Sequence, residues 1–454
     1  MNKKLVGVLL SVSMIASMLS GCGASAGNEA ETNAAGETAD VAAQTTESAD
    51  GEKVTLTVMD GYAPEDPHGQ YIYQYADEFM VANPNVTIEI QAIATNDIYT
   101  KLAAMATSPD ELPTLFFTAA DQVPTLYDLG LTADLSGILD DETKNGLANG
   151  VLEDCTIDGQ MVYYPVALQP QAVIYRMDRF EEEGLEIPKT WDEFVACAEK
   201  LTKDTDNDGK VDQWGFSMVG SNNSSGQSRF MSYLWSNGFE QAKEESGKWV
   251  TDISEDSKFV DVFAKWTDMN NVQGVVPTGI TEVDYPTASN YFAMGYTSMM
   301  LSGPNALGVA YANNPDLKGQ LGSFVLPGEY AGTTLGAEGY AISSYATDAE
   351  KAAAADYLKF FATHDADRMF WQVSGKIPAT ADGQSVEYIT GKDYEGFLQQ
   401  ISDGCRPTLA FPGISGLKSA LGNAYSAVFS GEATNEEAVA GLVKEVDQLL
   451  EDYN

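Results

Sequence analysis

Histidine is nearly missing from this chain, with only His68 and His364 among 454 residues. A histidine-based catalytic triad or a multi-histidine zinc site is therefore hard to assemble. His364, beside Asp365 in a helix-like stretch, reads as a surface residue, and His68 follows a loop-like Pro67. Cysteine is scarce too: Cys22, Cys155, Cys197 and Cys405, with no CxxC or other metal-ligand spacing. The last three are an odd number, so they allow one disulfide at most and are expected to be buried, inert thiols. Positive charge is in short supply, 25 Lys plus Arg against 67 Asp plus Glu, a net charge of −42. Such a surface repels phosphate backbones, which argues against nucleic acid as a partner and for a solvated acidic exterior. Beyond the first 21 residues no apolar run is long enough to cross a membrane, and no internal repeat is visible.

The N-terminus is different. Lys3 and Lys4 precede an apolar run from Leu5 to Leu19, the length of a signal-peptide core and short of the roughly 20 residues of a spanning helix. Leu19-Ser20-Gly21-Cys22 follows, and small residues ahead of a cysteine resemble a bacterial lipobox. Residues 1–21 are thus expected to be a lipoprotein signal peptide, with lipid on Cys22. Two or three acyl chains, at about 0.8 kcal/mol per buried methylene, anchor a protein firmly. Residues 22–53 carry the lipidated cysteine and a spacer of small, polar and acidic residues with no aromatic. Too little apolar surface is available there to offset ordering entropy, so a flexible acidic linker is expected.

About 400 residues remain, more than one hydrophobic core usually serves, which predicts two lobes. Val54, Leu56 and Val58 alternate with threonines as in a strand. A turn-rich loop runs from Asp60 to Gln70. Ile72, Tyr75, Ala76, Phe79 and Met80 then fall at helical spacing, stopped by Asn83-Pro84. A strand at Val86–Ile90, a helix at Ile98–Met105 and a buried strand at Thr114–Phe117 complete a βαβ pattern. Ligands of such sheets bind beyond the carboxyl ends of the strands, which points to the loops after Met59 and Phe117. Thr190-Trp191-Asp192-Glu193 and Thr434-Asn435-Glu436-Glu437 read as capping boxes, each opening an amphipathic helix.

A longer series of motifs carries a resemblance. It comprises Asp158-Gly159-Gln160-Met161-Val162-Tyr163-Tyr164-Pro165, Val173-Ile174-Tyr175-Arg176-Met177-Asp178 with Phe180, and Pro188-Lys189-Thr190-Trp191-Asp192-Glu193-Phe194. Leu234-Trp235-Ser236-Asn237-Gly238, Tyr291-Phe292-Ala293-Met294-Gly295, Met300, Gly303-Pro304, Gly375-Lys376-Ile377-Pro378-Ala379 and Gly431-Glu432-Ala433 follow in order. Together they resemble the family 1 extracellular solute-binding proteins, the maltose-binding-protein-like receptors of sugar ABC importers.

That resemblance implies a two-lobed α/β fold of the periplasmic-binding-protein type (type II), with hinge crossing segments and a ligand cleft between the lobes. Lobe 1 would comprise 54–168 and 341–378, lobe 2 169–340 and 379–454, with crossings near 167–172, 336–342 and 378. It further implies capture of a sugar or oligosaccharide, delivery to permease subunits, no enzyme activity, a monomer, and residence on the outer face of the bacterial cytoplasmic membrane. Sugars present hydroxyls and apolar ring faces, so polar side chains interleaved with aromatics are the expected lining. Asp121, Gln169, Glu338 and Tyr340 match polar or well-placed positions. Tyr62, Trp235 and Phe411 are the candidate stacking aromatics. Thr118 and Asn305 stand where maltose-binding protein has aromatic platforms, which argues against a maltodextrin while keeping Asn305 at the cleft.

Asp204-Thr205-Asp206-Asn207-Asp208-Gly209-Lys210-Val211-Asp212 is the sharpest local motif. Carboxylates at positions 1, 3, 5 and 9, glycine at 6 and a backbone donor at 7 (Asp204, Asp206, Asp208, Asp212, Gly209 and Lys210) follow an EF-hand calcium loop. Gly215 replaces the bidentate glutamate of position 12, so a structural calcium site of reduced affinity is the expectation, with no other cofactor. The competing function from another class is a surface-anchored carbohydrate hydrolase working through paired carboxylates. With 67 acidic residues, proximity of two carboxylates somewhere is guaranteed and favours nothing.

Overall fold

The computed structural model describes residues 53–64, 67–363, 374–385 and 387–454. The leader, Cys22, the spacer to residue 52, His364 and the side chain of His68 lie outside the described residues.

The first sheet grows from the predicted βαβ unit. In Val54–Asp60 the alternation buries Leu56 and Val58. This strand pairs in parallel with Val86–Ala92 on one side and Leu115–Ala119 on the other. Helices Pro67–Ala82 and Thr95–Met105 make the connections. The first helix starts three residues before the predicted loop ends, because proline fits a first helical turn, where its missing N–H leaves no bond unmade. Strands Glu338–Ile342, Tyr164–Leu168 and Ile377–Pro378 complete the sheet by antiparallel pairing.

The second sheet has the order Leu321–Phe324, Ala172–Arg176, Thr297–Ser302, Trp214–Ser217. Its central strand Thr297–Ser302 is buried throughout, as expected of a strand covered on both faces. Helices Trp191–Leu201 and Lys392–Asp403 pack on its edge strands. Both capping boxes form. Thr190 Oγ1 accepts from the Glu193 N–H at 3.2 Å while Glu193 accepts from the Thr190 N–H, and Thr434 and Glu437 repeat the exchange. The two sheets, each with its helices, are the two α/β lobes.

The chain passes between the sheets after Leu168, after Phe324 and after Pro378. Here the expected boundaries shift. Residues 338–340 belong to the first sheet and not to the second lobe, because Glu338 pairs with Ala119 and Tyr340 with Phe117. Thr380 likewise bridges to Leu147 of the first lobe. All three described cysteines are free thiols, and burial pushes the Cys155 thiol up to about 12. Among the described residues no helix is long and apolar enough to cross a membrane.

Candidate ligand site

A cavity of about 300 Å³ lies where the lobes face each other, at the lower end of the range for small-molecule sites. Asp121 follows the strand Leu115–Ala119, Glu338 opens the strand Glu338–Ile342, and Gln169, Gln171 and Thr333 come from the passages between the sheets. Gly303 and Asn305 follow Thr297–Ser302. Helix Ser224–Ser236 contributes Ser225, Ser228, Arg229, Ser232 and Trp235, which share one helical face. Ile414 and Lys418, one turn apart, come from helix Ile414–Phe429, which packs on that helix.

Two lysines, both nearly fully buried, organise the acidic wall. Lys376 Nζ forms an ion pair with Glu338 and donates to the Tyr62 hydroxyl at 2.6 Å. Gln169 Nε2 donates to the other Glu338 oxygen at 2.6 Å. Burial disfavours the Lys376 charge, yet the Glu338 carboxylate and Tyr62 outweigh it and hold the ammonium above the usual lysine range. Lys418 pairs with Asp121, joining the second-lobe helix to the first-lobe loop across the cavity. Burial alone would raise the Asp121 carboxyl; the Lys418 charge overrides it and holds Asp121 below the usual range.

Arg229 is held differently. Its Nε donates to the Leu301 carbonyl at 2.7 Å, Nη1 to the Ser225 carbonyl at 2.9 Å, and Nη2 to Ser302 Oγ at 3.2 Å. The guanidinium carbon sits 5.2 Å from the Tyr285 ring centroid, and Tyr285 in turn accepts from Asn305 Nδ2 at 2.9 Å. Burial pulls the Arg229 pKa down to about 10. Trp235 lines the cavity while the Arg406 guanidinium covers its ring at 4.2 Å, itself paired with Glu240 at 2.5 Å.

Asp121, Gln169, Trp235, Asn305 and Glu338 therefore meet at the cavity. The other three expected residues do not line it. Tyr62 stands one layer back, beneath Lys376, which lies 5.0 Å over its ring. Tyr340 is buried against Phe117 and Phe361, and its hydroxyl donates to Asp60, whose carboxyl burial has raised. Two residues further along the strand than Glu338, this side chain lies deeper in the first lobe, among core residues. Phe411 is fully buried between Trp249 and Tyr453, where it closes a local core under its loop. Thr118 is buried in its strand.

Sequence reasoning missed Gln171, Arg229, Lys376 and Lys418. A signal existed for two of them. Lys418 is the single charge in helix Ile414–Phe429, and Arg229 lies on a serine-rich face of an otherwise apolar helix.

In the acidic loop, carboxylate oxygens of Asp204, Asp206 and Asp208 lie within 4.8 Å of one another. Asn207 and Gly209 take positive φ of 62° and 90°, which turns the loop tightly enough to bring them together. Lys210 is drawn into the turn by its N–H, which donates to Asp208 at 2.8 Å. Asp212 does not join the cluster; its carboxylate accepts from Thr205 N–H and Oγ1 at 2.9 and 2.7 Å. Position 12 has no room for glutamate, since a Cβ on Gly215 would fall 2.1 Å from the Ala198 carbonyl oxygen. The residues present thus fit a cation through three carboxylates and fall short of a full EF-hand set.

Two α/β lobes joined by three passages, with a polar cavity where they meet, define the class of two-lobed binding proteins. The chain belongs to the bacterial extracellular solute-binding protein family, whose model matches residues 74–395. It is similar to the diacetylchitobiose binding protein DasA of Streptomyces coelicolor, 24% identical over 335 residues, covering 72% of this chain and 73% of the relative. Among solved structures, the solute-binding protein of Thermotoga lettingae bound with α-D-tagatose matches with TM-score 0.75 at 20% identity, over 88% of this chain and all of that one. The maltose-bound MalE3 of T. maritima matches with TM-score 0.73 at 22% identity, over 87% of this chain and all of that one.

Proposed function

We propose that this protein captures a sugar or oligosaccharide in the cavity between its lobes and hands it unaltered to the permease subunits of an ABC importer. The observation that carries this reading is the lining itself, where amide, hydroxyl and charged groups from both lobes converge beside Trp235 and Tyr285. Sugar hydroxyls need such fixed donors and acceptors, and two closing walls supply more of them than one open surface. The ligands in the names of its relatives support the same class.

Capture without turnover fits the electrostatics. A glycosidase needs a carboxyl kept protonated as general acid, and Asp121 is instead held ionised by Lys418 while Glu338 is locked to Lys376. The test is thermal unfolding and product analysis with a panel of saccharides. Stabilisation with no product is the expected result, and sustained product release would overturn the reading.

The lipid anchor belongs to the same proposal. A thioether-linked lipid on Cys22 would tether a monomer outside the cell, the acidic spacer giving it reach. Mass spectrometry of the mature N-terminus checks this, and an unmodified residue 22 would refute it. Calcium is proposed at Asp204, Asp206 and Asp208, where a hard cation would neutralise three clustered carboxylates and stiffen the loop.

A further inference from the structure

We infer that the sugar this receptor takes carries a carboxylate, and that Arg229 is the group that selects it. The inference rests on the sugar-capture reading above and narrows it to acidic saccharides.

In a small cavity screened from water, a charge without a partner is costly. Asp121, Glu338, Arg229 and Lys418 are the charged residues of the cavity wall. Lys418 neutralises Asp121, and Lys376, immediately behind the wall, neutralises Glu338. Arg406, over Trp235, is matched by Glu240. Arg229 alone has no carboxylate within ion-pair distance among the described residues, although it is 7% exposed. Its partners are carbonyls, serine hydroxyls and the face of Tyr285. Those dipoles orient the fork without cancelling its charge.

A buried cation left unbalanced is costly unless something pairs with it. In a chain of net charge −42, acidic residues are abundant, yet none among the described residues reaches this guanidinium. Among the charges of the wall itself, Arg229 is thus the one without an ion-pair partner in the described residues, and a ligand carboxylate would supply one. Guanidinium suits that role because it stays charged, and with four of its five N–H groups engaged as above, one on Nη2 is left to meet a carboxylate. The cavity of about 300 Å³ suits one or two sugar rings, so mono- and disaccharide uronates are the class that fits.

The test uses the mature protein and calorimetric titration with disaccharides of gluco, galacto and manno configuration. Each is supplied as the neutral sugar, the uronic acid and the uronate methyl ester. The ester keeps the shape and removes the charge. The expected result is that at least one uronate binds about tenfold or more tighter than both its ester and its neutral counterpart. Arg229→Lys retains part of that preference and Arg229→Gln abolishes it, with folding checked by circular dichroism. Equal or tighter binding of the neutral sugars throughout overturns the assignment to Arg229 and leaves sugar capture standing. Failure of every saccharide to bind overturns both.

Discussion

Single side chains separate cleanly into those that pack and those that face ligand. Phe411 and Trp235 are both buried aromatics, and sequence treated them alike as stacking candidates. Phe411→Ala is expected to lower stability by about 3–5 kcal/mol in urea titration, the cost of an aromatic removed from a core, with saccharide affinity unchanged. Trp235→Ala is expected to cost about 2 kcal/mol of binding, read by calorimetry, because it lines the cavity. Proximity in a loop or after a strand was legible for Asp121 and Gln169. Tyr340 was not, because how far along a strand the cleft reaches depends on the whole sheet. Lys376 and Lys418 were opaque for another reason: burying a lysine requires a partner distant in sequence, and Glu338 and Asp121 lie 38 and 297 residues away.

Elements were most legible where the physics is local. The alternation of Val54–Val58 and the two capping boxes need only neighbouring residues, and they formed as read. Thr434→Ala should cost about 1 kcal/mol by loss of the cap on the last helix, measurable in chemical denaturation. The strand Glu338–Ile342 starts earlier than the expected boundary because its opening Glu338-Gly339 carries no apolar alternation. Gly339 is small for a packing reason, since a Cβ there would meet the Tyr164 carbonyl oxygen at 2.0 Å. The acidic loop shows the same limit: its spacing was readable, whereas the diversion of Asp212 to Thr205 was not. Replacing chelator by millimolar calcium is expected to raise the melting temperature, and Asp204→Asn should abolish that rise. A temperature unmoved by calcium removes the metal from the loop.

At the scale of the molecule, the two ion pairs of the cavity contribute to the response to pH. Asp121 is held below the usual carboxylate range in the folded state. Its contribution is present above the unfolded value of about 3.9 and is lost as pH falls through the folded one. Lys376 is raised, so its contribution is full below about 10.4 and disappears as pH climbs through the higher folded value. Urea midpoints measured across pH should therefore fall on both limbs. Asp121→Asn should blunt the acid limb and Lys376→Met the alkaline one. The two-lobed architecture was foreseeable from length and motif order, but the cavity's charge arrangement was not, because it is assembled from four separate stretches of chain.

The Lys418–Asp121 salt bridge exists only while the two halves are together, so each opening that admits cargo must part it and each closure remake it.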